Sequence, residues 1–157
     1  MSFLRRISML SYLGLALLLG CCFYIQSQYP QLPDTIPTHF GAGGKADGFG
    51  DKAWIWMDPA VGFALWLLLV TVSFFPMRFN YPVTVTEANR PALEKLGRQL
   101  VQTLSLSVAI LFAFITYSSI VAAQSAQPQL DTRFFLGILA LVLGPVFVFL
   151  IKMSKLG

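Results

Sequence analysis

The chain is poor in charge, histidine and cysteine, and each shortage closes off a class of protein. Only 11% of its 157 residues are Asp, Glu, Lys or Arg, where a soluble domain carries about 25%. With 56% hydrophobic residues and a mean hydropathy of +0.69, that scarcity excludes an ordinary soluble domain. The two cysteines, Cys21 and Cys22, are adjacent inside an apolar run, so neither a disulfide framework nor a zinc-type spacing is available. The single histidine, His39, has no nucleophile and orienting group arrayed with it, so no triad can be assembled. The chain therefore reads as a non-enzyme that needs no cofactor. Its net charge of +4 comes from scattered basic residues beside apolar segments; a nucleic-acid partner would need a basic stripe with interleaved aromatics.

What the sequence does contain is four long apolar runs, over residues 7–25, 54–77, 100–123 and 134–151. Each is long enough to cross about 30 Å of hydrocarbon as a helix. Lipid offers backbone groups no partners, so the spans must be helical. The expectation is an all-α membrane protein, a four-helix transmembrane bundle forming a single domain over residues 1–157, with the bilayer as its first partner. Residues 27–53 and 78–99 are the main connecting loops. Arg5, Arg6, Arg78, Arg90, Lys95, Arg98, Lys152 and Lys155 lie in the tails and the second loop, against Lys45, Lys52 and Arg133 in the other two connections. Basic residues stay on the cytoplasmic side, which puts both termini in the cytoplasm and the 27–53 loop outside. Tyr29, Trp54 and Trp56 stand where an interfacial aromatic belt is expected.

No Asp, Glu, Lys, Arg or His is expected within the apolar cores, which argues against an ion-coupled transporter. Instead, Ser105, Ala109, Ala113 and Thr116, continuing to Ser119 and Ala123, recur at three- and four-residue steps, as do Ala140 and Gly144 before Pro145. Small residues at that spacing let helices approach closely. Asp58 before Pro59 reads as a helix start. Thr86 could cap a helix whose apolar face is Ala92, Leu93, Leu96 and Leu100, with Pro91 a point where that helix restarts. Arg5 and Arg6, an apolar stretch and then Leu18-Leu19-Gly20-Cys21 also admit a lipoprotein-type signal ending at Cys21.

The concentrated chemistry lies in LPDTIPTHFGAGGKADGFGDK, residues 32–52. Pro30, Pro33 and Pro37 bias Tyr29 to His39 toward a stiff, extended path. Gly41, Gly43, Gly44, Gly48 and Gly50 permit tight turns, so the loop should fold back on itself. Asp34, Asp47, Asp51, His39 and nearby Asp58 could converge on a cation. They lack calcium-loop or zinc spacing, and turn capping or partner contact accounts for the same residues.

The motif Leu32-Pro33-Asp34, Ile36-Pro37, His39-Phe40, Gly44, Asp47-Gly48 and Lys52 resembles a small bacterial membrane family, named for a domain of unknown function, that supplies the N-terminal part of SdpI-type immunity proteins. Asn80-Tyr81-Pro82-Val83 and Thr84 to Asn89 are similar to the segment after the second span of its short members. The resemblance implies a bacterial inner-membrane protein. SdpI-type proteins protect a cell from a secreted toxic peptide and hold a repressor at the membrane, although this chain shows no counterpart of their C-terminal membrane domain. The functional expectation is a loop, built on Pro33, Asp34, Pro37, His39, Phe40, Asp47 and Lys52, that recognises or excludes a toxic peptide or membrane-protein partner. The alternative is an accessory subunit of a larger complex, associating through the small-residue faces. Neither expectation fixes an oligomeric state.

Overall fold

A computed structural model describes residues 8–41, 43–126, 128, 129 and 133–157, with the backbone alone over 133–135. Arg5, Arg6 and Ile7 lie outside the described residues, as do the side chains of Arg133 and Phe134. The described residues form four α-helices: α1 (Met9–Gln28), α2 (Met57–Val72), α3 (Arg90–Ala123) and α4 (Arg133–Ser154). Between α1 and α2 stand two strands, β1 (Thr35–Phe40) and β2 (Ala46–Asp51), paired antiparallel. The stretches Met9–Gln31, Lys52–Val72, Arg90–Ala123 and Leu136–Ser154 are long and apolar enough to cross a membrane. They give the chain the character of a multi-pass membrane protein.

Local chemistry sets where the helices begin and end. Ser8 caps α1, its hydroxyl accepting from the Ser11 amide. The α1 helix runs on into a 3₁₀ turn over Tyr29–Gln31, so the extended path expected from Tyr29 starts only beyond it. The helix tolerates Pro30 because a first-turn position needs no amide donor. The cap expected of Asp58 is made seven residues earlier by Asp51, whose carboxylate accepts from the Ala53 amide at 2.7 Å. A 3₁₀ turn over Lys52–Trp56 then leads directly into α2. Asp58 and Pro59 are therefore inside the first turn of α2, where proline costs no hydrogen bond.

The second apolar run, expected to Met77, stops being α-helical at Val72. Phe74 and Phe75 close i→i+3 bonds to Thr71 and Val72. Phe75 must leave the α region because Pro76 follows it, and its φ of −118° and ψ of 47° record that departure. In the following segment Thr86 and Asn89 exchange reciprocal side-chain to amide bonds of 2.8 and 3.3 Å. The α3 helix begins at the next residue, Arg90, with Pro91 in its first turn. Asn89 also donates to the Leu156 carbonyl at 3.0 Å, tying the start of α3 to the end of α4.

At 34 residues, α3 is about 51 Å long and packs against each of the other helices. Glycine sets the closest approaches. A Cβ on Gly14 would lie 3.1 Å from Trp66 Nε1 and 3.3 Å from Ala109 Cβ. One on Gly62 would lie 2.8 Å from Leu18 Cδ2 and 2.9 Å from Phe112 Cβ. Beside these contacts the buried Ser11 and Ser105 hydroxyls stand 3.3 Å apart, and Trp66 Nε1 donates to the Ser11 carbonyl.

Candidate functional site

The hairpin is fastened to the bundle by apolar residues of its own motif. Leu32 and Ile36 are buried with Ile25, Ile55 and Ile120 in one cluster, and Tyr24, Tyr29, Trp56 and Ala123 pack around it. That cluster joins the end of α1, strand β1, the turn before α2 and the end of α3. Pro37 is also buried, whereas Pro33, Asp34, His39 and Asp47 are exposed and Phe40 and Lys52 are half-buried. The motif thus divides into an anchoring apolar face and an outward polar face.

Strand register brings the polar face together. Thr35 faces Asp51, Pro37 faces Phe49 and His39 faces Gly48, with irregular steps either side of His39. Gly48 is needed for this approach, because a Cβ there would come within 3.0 Å of His39 Cβ. Gly50 likewise leaves room for Thr38 and Trp54, each within 3.2 Å of its missing Cβ. Among the described glycines, Gly44 alone has a positive φ, 78°, at the hairpin turn. The other described loop glycines therefore do not serve the left-handed turns expected of them, and Gly48 and Gly50 instead allow close approach inside β2.

His39 Nδ1 pairs with Asp47 Oδ1 across the strands. Lys52 Nζ donates to Asp34 Oδ1 at 3.0 Å and stands 5.5 Å from the centre of the Tyr29 ring. Asp51 is occupied as the Ala53 cap. Four of the five residues considered for a cation, all but Asp58, are thus distributed over three separate jobs, and no cluster of three or more His, Cys, Asp or Glu occurs among the described residues. The Ala46 amide also bonds the Pro128 carbonyl, and Lys45 bridges Gln129, so Pro128 and Gln129 lie against the hairpin turn.

Behind β1 is a cleft of about 360 Å³. Strand β1 forms one wall from Ile36 to Phe40, and Trp54, Ile55, Met57 and Asp58 form another. Ile115, Ser118 and Ser119 of α3 and Ile138 of α4 complete it. Asp58 is the unexpected member, an acidic side chain taken into a span whose core was expected to hold none. Ser119 is its hydrogen-bonding neighbour. Its Oδ2 is buried and has no hydrogen-bond partner among the described residues. Of the cleft members on α3 and α4, Ser119 stood out only as a small packing residue and Ile115, Ser118 and Ile138 gave no sequence signal, because only the packing of distant helices brings them to the hairpin.

The small-residue positions separate in the same way. Ser105, Ala109 and Thr116 are buried and Ala113 is half-buried in α3. On α4, Ala140 is exposed, and a Cβ on Gly144 would meet nothing within 4 Å. Gly14 and Gly62, which make the tightest helix approaches, stand outside the regular small-residue steps that drew attention to α3. Cys21 is buried along α1.

Fold and site together describe a small helical membrane protein with a β-hairpin laid over one end of its bundle. Residues 16–63, covering most of α1, the hairpin and the start of α2, match a domain of unknown function, DUF1648. An uncharacterized protein of Archaeoglobus fulgidus is 26% identical over 140 residues, which span 82% of this chain and 76% of that protein. No solved structure matches the chain.

Proposed function

We propose that this is a non-enzymatic membrane protein of the bacterial cytoplasmic membrane whose hairpin, facing away from the cytoplasm, recognises a peptide or membrane-protein partner in an immunity or regulatory role. The observation that carries the reading is the division of the motif. Leu32, Ile36 and Pro37 hold the hairpin down, leaving Asp34, His39 and Asp47 outward beside an exposed Phe49 and Trp54. A rigid platform of exposed aromatic and charged side chains is suited to binding, because aromatics supply contact area at small entropic cost. The charge bias of the connections supports the orientation, and the resemblance to SdpI-type proteins supports the class of partner.

A photo-crosslinking amino acid placed at Phe49 in native membranes tests this directly. The expected result is a discrete crosslinked product that weakens when His39→Ala and Asp47→Ala are introduced at unchanged protein level. Absence of any product at Phe49, alongside a product from α4, would favour the accessory-subunit reading. That second reading draws on α4 itself, which packs mainly on α3 and leaves Leu136, Phe147 and Ile151 more than half exposed. Gly144→Leu tests it cleanly, because open space lies beside Gly144. Ala109→Leu does not, since Ala109 is fully buried within the chain and added bulk would disturb the fold itself.

A further inference from the structure

We propose that the cleft behind β1 binds a primary ammonium or guanidinium group carried on an apolar body, with the Asp58 carboxylate as its counter-ion. The inference rests on the recognition reading above and names the chemistry the site would select. Asp58 Oδ2 is buried and unpartnered among the described residues. An acceptor kept from water without a donor is unfavourable, and more so when charged. A ligand donor would remove that penalty.

The surroundings select a cation over a neutral donor. Among the described residues no Lys or Arg lines the cleft, and the ring of His39 is already engaged with Asp47. Asp58 therefore lines the space with no opposing charge among the described lining residues. Its place in the first turn of α2 lets the helix dipole offset part of the cost of holding a carboxylate there. The Ser118 and Ser119 hydroxyls lie on the same side as further acceptors, and the Trp54 and Phe40 rings can offer their faces to an ammonium. Ile36, Ile55, Ile115 and Ile138 supply walls for the apolar body. Residues 34–58 add Asp34, Asp47 and Asp51 against Lys45 and Lys52, so this stretch is net acidic although the chain as a whole is basic.

Such a group could arrive as a free amine or as the lysine side chain of a peptide. The test measures both on full-length protein in a non-ionic detergent by isothermal titration at pH 7. Probes are phenethylammonium, its neutral isostere 2-phenylethanol, a short peptide carrying one lysine between two leucines, and the same peptide with that lysine acetylated. Phenethylammonium should bind one-to-one and at least tenfold more tightly than the alcohol. Asp58→Asn should abolish that preference while leaving the melting temperature unchanged or raised. Ile138→Trp, which fills the cleft while keeping the Asp58 carboxylate in the chain, should weaken the amine at least tenfold. A lysine peptide that binds more tightly than its acetylated form identifies a peptide as the source; binding of the free amine alone identifies a small amine. Equal affinity for amine and alcohol, or an amine affinity indifferent to both variants, would overturn the proposal. Because no natural partner enters the measurement, that failure is separate from a failure to crosslink at Phe49.

Discussion

A methyl group added at Gly62 would sit 2.8 Å from Leu18 Cδ2 and 3.0 Å from Phe112 Cγ, at the point where α1, α2 and α3 meet. Overpacking of that kind costs about 1–3 kcal/mol. Gly62→Ala should lower the melting temperature followed by tryptophan fluorescence in detergent, whereas Gly144→Ala, with open space beside it, should leave it unchanged or raise it through helix propensity. Equal behaviour of the two would contradict the packing described. At the same scale, Gly48 is fixed by closeness to His39 Cβ. Gly48→Ala should loosen the hairpin and raise its cleavage by protease without affecting insertion of the helices.

At the scale of elements, the hairpin depends on Ile36, which is 1% exposed within the cluster of Leu32, Ile55 and Ile120. Ile36→Ala should destabilise this attachment by about 2–5 kcal/mol, read as faster amide exchange in β1 and β2 with the exchange of α2 and α3 preserved. Uniform loosening of all elements would argue against an independently fastened hairpin. The segment between α2 and α3 makes a second element-level prediction. Tyr81 donates to the Pro76 carbonyl at 2.7 Å and packs beside Gly97 and Phe79. Burial, with Glu94 adding repulsion and Arg98 opposing it, pushes the phenol above its ordinary value. The fold therefore favours the neutral form: this contribution is complete below about pH 10 and is lost as pH rises through the higher folded value. Thermal melts between pH 9 and 11.5 should show a loss in the native chain that Tyr81→Phe reduces.

Element by element, the helices were legible because a span is a local property, an unbroken apolar run of sufficient length. Where that rule failed, at Ser73 to Met77, the residues are mostly apolar but Pro76 denies its predecessor a helical conformation. The hairpin was legible as a returning loop and not as strands. Its residues TIPTHF and ADGFGD are rich in Pro, Gly and Asp, which are poor strand formers, and the pairing is held by Leu32 and Ile36 against helices far along the chain. Asp58 was legible as a polar residue near a helix start. Its burial was not, because Ser119 and Ile138 reach it only through tertiary packing.

At the scale of the whole molecule, the bundle has two unlike ends. One carries the hairpin with Asp34, Asp47 and Asp51; the other carries Arg78, Arg90, Lys95, Arg98, Lys152 and Lys155. Positive residues held on the cytoplasmic side support the proposed placement of the hairpin end outside, and the proposed recognition of an external partner depends on that orientation. The most direct measurement puts one thiol at Phe49, which is 58% exposed on β2, in a chain where Cys21 and Cys22 are replaced by alanine. A membrane-impermeant maleimide added to whole cells should label Phe49→Cys before lysis and leave a thiol at Lys155 unlabelled until the membrane is opened. Labelling of Lys155→Cys on intact cells, with Phe49→Cys reacting only after lysis, would contradict the account.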